Sequence, residues 1–414
     1  MGHQQIAATF RVVLFACAMN WAAAAAGASI DRPTVYLSHP ALSYAGSGEA
    51  TQARFPNVLR YIEHRKQQAG GEDAAATYTA IREALGRVQP ANFDLGYDRP
   101  SIAGNDQVVQ LVLLLTNEIV SVEPVGPHFK LYVQLRGQAL FFDVKAMRVL
   151  TTYPISFSYL DVKSSRPGER EIDENIDIVF RGAQGKPGLI SRFADAVAAA
   201  RFTIKVDTAF LQVTSARIDD AARGNIPAFL QGPGIAEEWF ADLFAESISK
   251  ELAIPILPFR KGDAIKKMQF RLQDGENYQL EIPQPNFTIA TTLTSLKRIA
   301  DKDTDAAQSF VYGSVANIVL SSSIEDKLNS KFRFGKHVVV PKVAGAAPQE
   351  STPPAEIDDG TSYRESVEGL LGNVSRAIKG EARDWVAKNA LPAPNTKPIS
   401  GQLADSLELL RRCK

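Results

Sequence analysis

Three long stretches between Val108 and Asp161 constrain this chain more than any other feature. Val108 to Pro124 (VVQLVLLLTNEIVSVEP) opens as a continuous apolar run and closes in alternation. A strand buried on both faces at one end and on one face at the other reads this way. Beyond the turn Gly126-Pro127-His128, Phe129 to Asp143 alternates. Leu131, Val133 and Leu135 share one face; Lys130, Tyr132, Gln134 and Arg136 share the other. A polar turn at Lys145-Ala146 leads to Arg148 to Asp161, rich in β-branched and aromatic residues. Three long strands joined by short turns predict an antiparallel meander.

Helical spacing flanks it. Phe55, Val58, Leu59 and Ile62 form one apolar stripe; Tyr78, Ile81 and Leu85 form a second. Ile190 to Ala200 reads as a helix and Phe202 to Val213 as a strand. Gly232-Pro233-Gly234 introduces a helix with Trp239, Leu243, Phe244, Ile248 and Leu252 on its stripe. A second β block follows. Lys267 to Gln273 and Tyr278 to Ile282 flank a hairpin signal, Asp274 to Asn277, before longer strands at Phe287 to Ile299 and Ser309 to Ser321. Pro341 to Ser362 is rich in Pro, Ala and acid and reads as a linker. The expectation is an α+β fold with antiparallel or mixed β-sheets packed with helices. The two β blocks echo each other, as two similar modules would, and a C-terminal helical appendage follows. The expected divisions are 1–28 signal peptide, 29–215 first α+β domain, 216–340 second α+β domain, 341–362 linker and 363–414 helical segment.

Residues 1–28 carry an export signal. Arg11 supplies the positive n-region, Val12 to Trp21 the apolar core, and Ala26-Gly27-Ala28 an A-x-A cleavage site before Ser29. Retention as an anchor is one alternative, and a lipoprotein through Cys17 is another. No later stretch is long and apolar enough to span a bilayer as a helix. The expected place is the periplasm, with association to the outer membrane left open. Lys plus Arg and Asp plus Glu both number 46. Such a balance argues against nucleic acid as a partner, because phosphate binding needs concentrated positive charge.

Catalytic chemistry is not expected, and no cofactor or metal is either. After cleavage four histidines remain, His39, His64, His128 and His337, each isolated and without zinc-ligand spacing. The acidic run Glu169, Glu171, Asp173, Glu174 and Asp177 lacks the mid-loop glycine of a calcium site and reads as a solvated loop. Cys413 is the cysteine left after cleavage and reads as a solvated bystander on a frayed tail. Two sets of residues are candidates for binding. Phe141, Phe142, Tyr153, Phe157 and Tyr159 would line a cleft for an apolar ligand, with burial in the core as the plainer reading. Val367, Leu370, Leu371, Val374, Ile378 and Trp385 form an apolar helical stripe, which would pack on the body of the protein or on a partner helix.

The run LLLTNEIVSVEP and the strand LYVQLRGQALFFDVKAMRVLTTYP together resemble bacterial envelope modules of the CsgG-like and TolB-amino-terminal kind. In that family a D-V-x-x-G-x-V turn joins two strands; here Asp143-Val144-Lys145-Ala146-Met147-Arg148-Val149 has Met147 in place of the glycine. The similarity covers about a quarter of the chain. It implies a noncatalytic α+β module acting by assembly or binding in the envelope. Two functions are therefore expected: an exported assembly or accessory protein acting through an envelope partner or self-association, or a periplasmic binding protein for an apolar or lipid-like ligand.

Overall fold

The alternation that dominates the sequence folds as three antiparallel strands at the centre of a curled sheet. A computed structural model describes residues 32–68, 73–125, 127–183, 185–201, 209–259, 267–304, 306–341, 359–394 and 396–413. In chain order the first part holds β1 (Thr34–Ala45), α1 (Pro56–Gln68), α2 (Asp73–Leu85), β2 (Val109–Val125), β3 (His128–Asp143), β4 (Arg148–Lys163), α3 (Glu169–Arg181) and α4 (Leu189–Ala199). Next come β5 (Leu211–Ile218), α5 (Ile235–Leu252), β6 (Lys267–Leu272) and β7 (Asn277–Glu281). The last part holds β8 (Phe287–Asp303), β9 (Ala307–Ser322), β10 (Asp326–Pro341), α6 (Asp359–Lys379), α7 (Arg383–Asn389) and α8 (Ile399–Leu410).

In the first sheet β2, β3 and β4 pair antiparallel, with Leu113, Ala139 and Tyr153 in line. β1 runs parallel to β2, the crossover carrying α1 and α2. β6 then pairs with the end of β1 (Ala45↔Phe270), and β7 reaches β4 at Glu281↔Arg148. The sheet thereby closes on itself at one end. Val112, Leu114, Leu140 and Phe142 fill the closed end against Met268, Phe270 and Leu280. The opposite face, with Leu111, Leu113, Leu131 and Val133, packs on α1 to α4. Burial on both faces explains the unbroken apolar run at the start of β2. Gly137 sits in β3 beside a bulge in β2, where a Cβ would lie 2.9 Å from the Leu114 carbonyl oxygen. Only glycine allows that approach.

The second sheet has the order β10, β9, β8, β5, with a short strand Ala390–Pro392 beside β10. β8, β9 and β10 are an antiparallel meander, and β5 lies parallel to β8. Leu293, Tyr312, Ile318 and Phe332 face α5, α6 and α8 in one core. α5 buries Trp239, Phe240, Phe244 and Ile248 and touches both sheets. A helix apolar on most of its circumference belongs in an interior. The layers thus run α1–α4, first sheet, α5 with α6, second sheet.

The α+β class, the meander and the C-terminal helices match the expectation. Several details differ. The boundary expected at 215/216 falls inside β5, a strand of the second sheet, while β6 and β7 belong to the first. The second meander has a third strand, β10, beyond Ser321. The acidic run is helix α3 and not a solvated loop. Ile172, Ile176, Val179 and Phe180 give it a buried stripe, and Asp173 and Asp177 face α1. Cys413 is 1% exposed, because α8 carries the tail into the second core, and burial pushes its thiol up to about 12. The expected signal peptide, most of the linker and Phe202 to Thr208 lie outside the described residues. Among the described residues no helix is long and apolar enough to cross a membrane.

Candidate functional site

The polar face of β3 is not open to solvent. Lys130, Tyr132, Gln134, Arg136 and Gln138 are each at most 6% exposed, with α5 reaching Arg136 and α6 reaching Tyr132. Across from them α5 carries Glu238, Asp242 and Glu246, spaced four apart and so in one row along the helix. Arg54 donates to Glu238 at 3.2 Å and to the Thr116 carbonyl at 3.0 Å. An Arg136 nitrogen lies 3.6 Å from Glu246, and Ser156 Oγ lies 2.7 and 2.8 Å from the two Glu246 oxygens. From α6, Arg364 donates to the Tyr132 hydroxyl at 2.6 Å and stacks 4.8 Å above its ring. A polar, charged layer therefore joins the first sheet to the helices behind it.

Asp242 is strongly shifted in this layer. Burial raises its carboxyl to about 7; Arg136 opposes this, and Glu238 and Glu246 add to it. Glu368 on α6 keeps solvent contact, yet the protein crowding it raises its carboxyl too, against the pull of Arg364 and Arg136. The folded protein thus holds the Asp242 proton up to about pH 7, whereas an ordinary Asp releases it near 3.8. The folded state binds the extra proton, so this group's contribution is complete below the ordinary value and is lost as pH rises through about 7. Urea unfolding should show stability falling by roughly 2 kcal/mol at this group between pH 5 and 8, after allowance for water in the cleft. Asp242→Asn should flatten that slope; an unchanged slope would show that Asp242 does not titrate there.

Beside this layer the edge of β4 is open. A segment after α5 covers its start: Ile256 donates to the Thr152 carbonyl at 3.1 Å, and the Thr152 hydroxyl donates back. Beyond Tyr153 the edge looks into a cleft between α4 and α5. The cleft has two lobes. One, about 330 Å³, is polar, with Gln134, Ser156, Ser158, Glu246 and Glu368 around Phe157 and Leu371. The other, about 420 Å³, is mainly apolar, with Tyr153, Pro154, Ile155, Ala196, Ala199 and Ala253. Ser156, Arg192, Glu246 and Lys250 line both lobes and mark their junction. The amide oxygen of Gln134 is buried without a hydrogen-bond partner.

The aromatic set divides. Phe141 and Phe142 point to opposite faces and are fully buried in separate cores. Tyr153 and Phe157 line the cleft, while Tyr159 packs at the edge of the first core. The helical stripe is used within this chain. Val367, Leu370, Leu371, Val374 and Ile378 are at most 1% exposed in the second core, and Trp385 stacks on Phe332 at 6.0 Å. Of the histidines, His64 pairs with Asp173 at 2.8 Å and His337 with Asp301 at 3.0 Å. Neither lines the cleft.

The chain matches no protein family, and no curated protein matches it. Among solved structures it is similar to the hypothetical protein CT253 from Chlamydia trachomatis, at 13% identity. That match covers 41% of this chain and 96% of that one with a TM-score of 0.20, below the level at which two chains share a fold.

Arg192, Lys250 and the carboxylate row on α5 were not candidates from the sequence. A signal did exist for the row: three acids four apart on a helix otherwise apolar call for a polar partner surface. Arg192 and Lys250 are ordinary surface charges until the fold sets them across from each other.

Proposed function

We propose that this chain is an exported binding protein that holds an apolar or lipid-like ligand in the cleft between β4, α4 and α5. The observation that carries the reading is the pair of adjoining lobes, about 330 and 420 Å³, one polar and one mainly apolar, which share Ser156, Arg192, Glu246 and Lys250 in their walls. Their size and mixed lining suit a small amphipathic molecule. Tyr153 and Phe157 are the two members of the aromatic set at hand for contact. The A-x-A signal at Ala26 to Ala28 supports the export half of the reading. The internal use of the α6 stripe favours ligand binding over a tethered partner helix.

Native mass spectrometry of the full chain purified from the envelope fraction tests this. A small molecule of discrete mass should co-purify, and Ala199→Phe, which fills the apolar lobe, should remove it with Tm little changed. A ligand-free protein, or a ligand retained by that variant, contradicts the proposal.

A second reading, assembly through an envelope partner or self-association, has one observation in its favour. Ile299 and Val339, near the free end of the β8–β10 meander, are 58% and 56% exposed. If assembly is the function, the same spectra show a protein-only complex and Ile299→Asp dissolves it.

A further inference from the structure

We propose that the ligand of this cleft carries a carboxylate head bound by Arg192, with its apolar tail in the larger lobe. This rests on the binding-protein reading above and names its ligand class.

Arg192 projects from α4 at the junction of the two lobes. Its guanidinium lies 5.2 Å from the centre of the Phe157 ring, which holds the planar group in place. Its Nε is buried and has no hydrogen-bond partner. Among the described residues no carboxylate lies within ion-pair distance of it. Other part-buried arginines of the same body differ: Arg60 meets Asp173 at 3.0 Å, and Arg136 meets Glu246. The junction itself contains Glu246, already paired with Arg136 and Ser156, while Asp195, Glu251 and Glu368 line the lobes on either side of it, none within ion-pair distance of Arg192. A stacked guanidinium with its fork free presents paired N–H donors, which match the two oxygens of a carboxylate. Lys250 lines the same junction from α5 and adds a second positive charge. Ile155, Ala196 and Ala199 line the lobe next to this position, so a head held at Arg192 directs an alkyl tail along them. Their small size keeps that lobe open.

The experiment measures binding of dodecanoate, dodecanol and dodecylamine to the full chain by calorimetry, below micelle-forming concentrations. Dodecanoate should bind at least tenfold more tightly than the other two. Arg192→Gln should weaken dodecanoate by tenfold or more and leave dodecanol unchanged. Arg192→Lys, which keeps the charge but loses the fork, should fall between. Circular dichroism of each variant checks that the fold is retained. Equal affinity for the three heads, or a preference for dodecylamine, overturns the carboxylate head while leaving the cleft as a ligand site. Failure of all three to bind overturns the carboxylate head and counts against the binding-protein reading as well. Dodecanoate binding that is indifferent to Arg192→Gln but lost in Ala199→Phe overturns the role of Arg192 alone.

Discussion

Replacing Arg136 with alanine should lower the unfolding free energy by about 3 kcal/mol at pH 8, and by less at pH 5. The Arg136 side chain is 4% exposed, in the middle of β3, and its nearest carboxylate is Glu246 at 3.6 Å. Asp242 and Glu368 also feel its charge. Removing it leaves Asp242 and Glu246 facing a hole, with Arg54 at Glu238 and Arg364 near Glu368 as the remaining cations of the layer. Breaking a buried pair by deleting one partner typically costs about 3–5 kcal/mol, because the surviving charge stays desolvated. The lower end applies here, since Glu246 keeps its Ser156 hydrogen bond and two Arg136 nitrogens are already without partners. The pH dependence follows from Asp242. At pH 5 it is protonated and indifferent to the missing cation; at pH 8 it is charged and repelled by Glu238 and Glu246. Urea unfolding of wild type and Arg136→Ala at both pH values measures this. Adding Asp242→Asn to the variant should restore part of the loss at pH 8, because the two sites share one network. A loss under about 1 kcal/mol at pH 8 would place this layer among solvated surface pairs.

This layer also shows where the sequence stops informing. Alternation in β3 correctly separates Leu131, Val133 and Leu135 from Lys130, Tyr132, Gln134 and Arg136. It says which side chains share a face, not what covers that face. The cover comes from α5, a hundred residues later, whose Glu238, Asp242 and Glu246 supply the complement. The signal of β10 is weak because Lys327, Lys331 and Arg333 dilute its apolar content; it consists of the alternation of these charges with Leu328, Ser330 and Phe332. Helix α3 was hidden in the same way, its Ile172 and Ile176 stripe lying under five acids. The parity that sets Phe141 against Phe142 could be read from their adjacency alone. The cleft could not be, because Tyr153, Arg192, Glu246 and Glu368 meet only through the packing of four separate elements.

The largest effect is expected from removing residues 363–414. A tether would be dispensable to the fold; α6 and α8 are not tethers. Tyr363, Val367, Leu370, Leu371, Val374 and Ile378 lie under the second sheet beside Leu293, Tyr312 and Phe332, and α8 adds Leu403, Leu409 and Leu410. Fully burying one such side chain is worth about 1.5–3 kcal/mol. Together the nine match or exceed the roughly 5–15 kcal/mol by which a domain is stable. Ser366 also donates to the Tyr312 carbonyl at 2.8 Å, so the truncation strips a buried hydrogen bond as well as apolar cover. Hydrogen exchange should show β8, β9 and β10 losing protection. The α1–α4 side of the first sheet should keep more of its own, because its apolar contacts form a separate core. A milder probe, Leu370→Ala, removes one fully buried side chain and should cost about 2–5 kcal/mol. If the truncated chain instead unfolds cooperatively at an unchanged urea midpoint, α6 and α8 contribute nothing to the second core, and packing of Val367, Leu370 and Val374 on a partner helix becomes the better reading.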